Sequence, residues 1–188
     1  MSLSPAAQKI ADAAVIHFTE NGYDAASLST LADAAGIRKA TIYSHFKNKD
    51  ELFLSVFEQS LTIEREFAVR CFEQESRAGE NYLFAVSERY ASSPYLRLLL
   101  RTAFIPPIAV KKEVSRGYED FIDLIGGQFL QNFNRLHPQS TEQSAMFCDA
   151  YLGIVDSLHI ELLYASPEAA DRRRLSLWQV FSMALNTV

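Results

Sequence analysis

The sequence predicts an all-α fold of eight to nine helices, and three observations predict it. No segment alternates apolar and polar residues with the period of two that a half-buried strand requires. Apolar residues recur instead at spacings of three and four along the chain. All six prolines fall where helices would start or stop, and no repeat or glycine- or serine-rich stretch interrupts the pattern.

Ser4-Pro5 reads as an N-cap followed by proline at the first helical position, and Ile10, Ala13, Ala14 and Phe18 then form one buried stripe. Asn21-Gly22 ends this helix. Ser27 caps a short second helix carrying Leu28, Leu31, Ala32 and Ala35. Gly36 ends it, and a third runs from about Arg38 to Phe46. Asn48 caps a long fourth helix, from about Lys49 to Arg77, with Asp50 and Glu51 at its positive end and Gly79 as its break. Leu52, Phe53, Val56, Phe57, Leu61 and Phe67 give that helix its apolar pattern. Further helices are expected from about Glu80 to Ala91 and from Pro94-Tyr95 to Phe104, the latter stopped by Pro106-Pro107. Others follow from about Val110 to Leu136 and from about Thr141 to Ala165. After Ser166-Pro167 a last one reaches about Thr187. Gly126-Gly127 falls inside a long helix, where each glycine costs about 0.5–1 kcal/mol relative to alanine. The pair fits close helix packing or a kink, or else room for a ligand.

The 188 residues suit one large domain or two small ones. A chain of this length buries about 70% of its unfolded surface, so it needs neither disulfides nor metals to hold a core. Thirteen Phe, eight Tyr and one Trp, within a chain 48% hydrophobic and 22% charged, argue against disorder. Cys71 and Cys148 form no disulfide framework or CxxC pair, and read as small buried hydrophobes in a reducing compartment. Met1 to Phe18 carries no signal-peptide pattern, and no apolar run approaches the ~20 residues of a membrane helix. The expectation is a cytoplasmic protein with no membrane partner.

Net charge is −5, which alone argues against a general nucleic-acid coat. Its distribution matters more. Gly36 to Lys49 holds Arg38, Lys39, Lys47 and Lys49, with His45 and no acid, which leaves −9 on the rest of the chain. A basic island on an acidic body suits a protein that touches DNA with one small surface.

Residues 28 to 46 have helix-turn-helix form. Ala32 and Ala35 are small enough for the second helix to cross closely at Gly36. Leu31, Ile37, Ile42 and Phe46 would face a core with Ile10, Ala14 and Phe18. Arg38, Lys39, Thr41, Tyr43 and His45 lie on the other surface, where they can donate to phosphates and base edges.

From Ile10 to Phe57 the chain resembles the DNA-binding segment of the TetR family of bacterial regulators. The residues that carry the resemblance are Ala13, Ala14, Phe18, Gly22-Tyr23, Ser27, Leu31-Ala32, Ala35-Gly36-Ile37, Thr41-Ile42-Tyr43, His45-Phe46, Lys49 and Leu52. The resemblance implies phosphate contacts from Ser27, Thr41, Tyr43 and Lys49. It implies base-edge or groove contacts from Arg38, Lys39 and Ala40, with His45 able to reach either. One departure is visible: family members often have Ser or Thr at the position of Arg38, which cannot cap the helix and is freer to reach DNA.

What the resemblance implies is a ligand-responsive transcriptional regulator, a repressor in preference to an activator. Residues 1–48 would form a helix-turn-helix DNA-binding domain and residues 49–188 an effector-binding and dimerisation bundle. As a homodimer it would set two recognition helices about 34–36 Å apart on the near-palindromic operator of a double-stranded DNA. A small apolar or amphipathic effector would release it, with the long fourth helix as the lever. Tyr90, Phe104, Tyr118, Phe121, Tyr151 and His159 are the candidate effector contacts, although most aromatic residues of the body will be core. Met146, Ile154, Leu158 and Leu162 on one helix, with Leu175, Trp178, Phe181 and Leu185 on the next, are the candidate dimer contacts, Trp178 foremost.

Asp156 and His159, with Glu161 nearby, read as a satisfied pair or as a polar contact to a ligand, and offer too few ligands for zinc. Arg172-Arg173-Arg174, beside Glu168 and Asp171, reads as a solvated patch. No nucleophile elbow, phosphate loop or metal spacing appears, so neither an enzyme nor a cofactor or metal is expected. The rival reading is a helical protein-interaction module of the same fold without sequence-specific repression.

Overall fold

The computed structural model describes residues 4–73 and 75–187. Among them are nine α-helices and no strand: α1 (Pro5–Asn21), α2 (Leu28–Ala35), α3 (Lys39–Tyr43), α4 (Lys49–Phe72), α5 (Glu80–Ser92), α6 (Pro94–Phe104), α7 (Lys111–Leu136), α8 (Ser144–Tyr164) and α9 (Pro167–Leu185). Among the described residues no helix is long and apolar enough to cross a membrane.

Helix starts follow the expected chemistry. The Ser4, Ser93 and Ser166 hydroxyls accept from the backbone N–H three residues on, each ahead of a proline in the first turn. One stop differs. α4 ends at Phe72 and not near Arg77, because the following segment is organised around a buried carboxylate. Glu75 accepts from the Gly79 N–H at 2.9 Å, the Asn81 N–H at 2.8 Å and the Asn132 amide at 3.1 Å. Burial nevertheless raises its pKa above the ordinary carboxylate value.

Compactness groups the chain differently from the functional division expected at residue 48. One unit contains the chain up to Ile63 together with Ser93–Tyr118; the other contains Glu64–Ser92 and the chain from Glu119 onward. In the first, Ile10, Ala14 and Phe18 of α1 are buried, as are Leu31 of α2, Ile42 of α3 and Leu52, Phe53 and Phe57 of α4. Phe53 meets Phe18 and Tyr23 edge-on, with centroids 5.0 and 5.1 Å away. α6 joins this core through two hydrogen bonds that cross. The Thr19 hydroxyl donates to the Pro94 carbonyl at 3.2 Å, and Arg101 Nη1 donates to the Thr19 carbonyl at 3.0 Å.

In the second unit the core is aromatic. Phe129 stacks on Tyr151 at 4.4 Å, and Phe133, Phe147 and Phe181 pack around the pair. The Tyr151 hydroxyl donates to the Gly79 carbonyl at 2.9 Å. Gly79 has φ +83°, and a Cβ there would run into the Tyr151 ring. The two readings of Gly126-Gly127 separate. A Cβ on buried Gly126 would stand 3.2 Å from Leu152 Cδ1, which is close helix packing, whereas exposed Gly127 has nothing within 4 Å.

Candidate functional site

The helix-turn-helix is assembled from local hydrogen bonds. At the start of α2, Ser27 and Thr30 form a reciprocal capping box, the Ser27 hydroxyl accepting from the Thr30 N–H at 3.1 Å. At its end Gly36 takes a left-handed conformation, φ +63°, and the Ile37 N–H donates to the Ala32 carbonyl at 3.0 Å. α3 starts at Arg38 without a side-chain cap, as its sequence requires. Ile42 and Phe46 are buried, which turns Arg38, Lys39, Ala40 and Tyr43 outward. Tyr43 is 53% exposed and so is no core residue. Thr41 and His45 are half-buried.

Ser27, Lys39, Tyr43 and Lys49 line one concavity of about 460 Å³, together with Ala26, Leu28, Ser29, Lys47 and Asn48. Three ammonium groups and no carboxylate surround it. Lys49 is held in place: its Nζ donates to the Tyr23 carbonyl at 2.9 Å and lies 4.0 Å above the Tyr23 ring. The Tyr23 hydroxyl donates in turn to Asp50, and burial and then that carboxylate push the phenol's pKa up, so it stays a donor. At the start of α4, Asn48 Oδ1 accepts from the Glu51 N–H at 2.8 Å, and Glu51 accepts from the Lys47 N–H at 2.7 Å. Sequence reasoning counted Lys47 and Asn48 as charge and cap without giving either a place in the site. Nothing in the spacing pointed to Ser29.

The six candidate effector contacts divide between the two compact units, Phe104 and Tyr118 in one and Tyr90, Phe121, Tyr151 and His159 in the other. His159, Phe121 and Tyr151 are fully or almost fully buried. His159 Nε2 lies 3.0 Å from the Tyr82 hydroxyl and its ring stacks on Phe121, an interior arrangement. Burial lowers the His159 pKa to about 3, so the ring is neutral at physiological pH. Asp156, by contrast, is exposed, and the described residues hold no group of three or more metal-ligating side chains. Phe104 and Tyr118 pack against each other, 5.6 Å apart, in the other compact unit. Tyr90 alone of the six lines a cleft of about 400 Å³, beside Phe84, Leu162 and Arg174. The arginine run is only partly solvated: Arg173 pairs with Glu161, but the Arg174 side chain is 11% exposed and lies 4.3 Å over the Phe84 ring.

The candidate dimer residues divide by face. Ile154, Leu158, Trp178, Phe181 and Leu185 are buried within the protomer. Trp178 is 5% exposed, packs against Phe84 and Phe181, and donates to Glu80 at 3.2 Å, so it is no exposed anchor. Leu162 is half-buried. Met146, at 61%, and Leu175 face solvent, joined by Ile160, Tyr164, Val180 and Met183, which sequence reasoning missed. Spacings of three and four identify a stripe but do not say which of two apolar stripes on one helix is the inner one.

Comparison with known proteins agrees with this geometry. The family model described as bacterial regulatory proteins, tetR family, matches residues 10–56. The fatty acid metabolism regulator protein of Bacillus subtilis (strain 168) is 27% identical over 135 residues, covering 68% of this chain and 70% of its own. The biofilm operon negative transcriptional regulator IcaR of Staphylococcus epidermidis is 24% identical over 135 residues, covering 69% and 70%. The crystal structure of the regulator FadR from Bacillus subtilis in complex with stearoyl-CoA superposes with a TM-score of 0.64 at 20% identity, covering 90% of this chain and 96% of that one, a likeness of fold.

Proposed function

The chain belongs to the TetR family of bacterial regulatory proteins, and from that premise we propose a repressor that binds a near-palindromic operator as a homodimer and is released by a small, largely apolar effector. Residues 1–48, with Lys49 at the start of α4, supply the DNA contacts, and the remainder of residues 49–188 the effector and dimer contacts. The observation that carries the reading is the acid-free concavity where Ser27, Lys39, Tyr43, Lys47 and Lys49 meet, beside the outward edge of α3. Phosphates would sit against Ser27, Thr41, Tyr43, Lys47 and Lys49. Arg38, Lys39, Ala40 and His45 would reach the groove.

The dimer is supported by the apolar side chains that α8 and α9 leave in solvent, Met146, Ile160, Tyr164, Leu175, Val180 and Met183. An effector with an acyl chain is the class suggested by the fatty acid regulator among the relatives. Selection of random duplexes by the purified protein is the decisive experiment. Enrichment of an inverted repeat is the expected result, and no enrichment by an intact dimer would turn the reading into that of an interaction module. Sedimentation at micromolar concentration checks the dimer, and a monomer there overturns it.

A further inference from the structure

The cleft beside α9 is built for more than packing. α5, the end of α8 and the start of α9 enclose its roughly 400 Å³, with Phe84, Leu162, Pro167 and Ala170 as apolar walls. Two of its other lining residues, on different helices, carry buried polar atoms with no hydrogen-bond partner among the described residues: Nε and Nη1 of Arg174, and Oγ of Ser87. Such groups carry a desolvation cost that an acceptor oxygen would remove.

The charge balance says what kind of oxygen. Arg174 Nη2 already donates to Asp171 at 3.0 Å, so the guanidinium charge is compensated while two of its donors are unmet. Glu161 is paired with Arg173, and Glu88 adds a further carboxylate to the lining. Acidic side chains therefore outnumber the one lining cation, and a carboxylate or phosphate entering here would be repelled.

We infer that this cleft is a ligand site for an uncharged amphiphile, with a carbonyl-type oxygen accepting from Arg174 and Ser87 and an apolar body against Phe84 and Leu162. The assignment of binding stands on the cleft alone; only its link to operator release rests on the effector reading above. Trp178 is the chain's one tryptophan and its ring lies 6.2 Å from that of Phe84, so its emission reports on the cleft wall.

The test titrates the full-length protein with 2-decanone, decanoate and 1-decene, following Trp178 emission. 2-Decanone should bind at least about tenfold more tightly than 1-decene, which leaves the donors unmet, and than decanoate, which meets the carboxylates. Arg174→Met should abolish the preference for the ketone over the alkene. Ser87→Ala, which removes only a hydroxyl, should reduce it and keeps the test valid should Arg174→Met not fold. Ala165→Phe, at the cleft wall, should weaken all three probes. Equal binding of ketone and carboxylate, a preference unchanged by Ser87→Ala and Arg174→Met, or no emission change with any probe overturns the inference. Binding of 2-decanone without release of the selected operator would leave the cleft assigned and overturn the effector reading instead.

Discussion

Around α3, Arg38, Lys39 and Lys47 stand in solvent and the turns are closed by neighbours in sequence; in the unit that holds α5, α8 and α9, two carboxylates go inside and are met by residues far away along the chain. Ser27 is answered by Thr30 and Asn48 by Glu51. Glu64, by contrast, is buried against Arg89 in a bidentate pair at 2.7 and 3.0 Å, and Glu75 meets Asn132. The difference follows from what each surface is for. A face that binds phosphates gains from hydrated, available cations whose attraction is screened by salt. A body that must hold a shape gains from polar groups that tolerate few arrangements once buried.

Glycine substitutions should break this comparison most visibly. Gly79→Ala meets both a left-handed backbone and the Tyr151 ring, and should cost about 3 kcal/mol or more in urea unfolding. Next in size, Lys39→Ala should weaken operator binding by about 1–3 kcal/mol per half-site and spare random DNA. Lys49→Ala should weaken both alike and lower the slope of log affinity against log salt by about 2 in a dimer. A salt titration on operator and scrambled duplexes separates the two.

Acid should sharpen the contrast through His159. The unfolded chain takes up a proton near pH 6.5 that the folded chain refuses until about pH 3, so stability is lost as pH falls through that window. This residue contributes a slope of up to about 1.4 kcal/mol per pH unit. Glu75, whose folded carboxyl keeps its proton above the ordinary range, acts in the opposite sense, losing stability as pH rises. That contribution is common to wild type and His159→Gln, and the difference between their unfolding curves from pH 6.5 to 5 isolates the histidine. A wild-type slope no steeper than the variant's would overturn the buried neutral ring. The smallest effect belongs to Gly36→Ala, about 1 kcal/mol in the same urea assay, since the position is left-handed but nothing lies within 4 Å of the added methyl.

The same contrast governs what could be read in advance. Ser4-Pro5, Ser27, Gly36 and Ser166-Pro167 marked helix ends because the atoms that satisfy a cap sit within three or four residues of it. The concavity at Ser27, Lys39, Tyr43 and Lys49 was legible for a related reason, since a compact run of sequence supplies most of it. The end of α4 was not, because the backbone N–H groups that hold Glu75 mark no residue type, and its third partner, Asn132, lies far along the chain. The ligand cleft was missed where Arg174 looked like one member of a solvated run. Its burial depends on Phe84, ninety residues earlier.

The crossed bonds between α1 and α6 limit how the molecule can be taken apart. Thr19 reaches forward to Pro94 and Arg101 reaches back to Thr19, so the unit that carries the recognition helix is completed by a segment encoded after a detour through the other unit. A chain cut after α3, or even after Ile63, would lack the helix that closes α1. Grafting this reader onto another sensor therefore means carrying Ser93–Tyr118 along with it, and amide exchange should show α1 and α6 opening together.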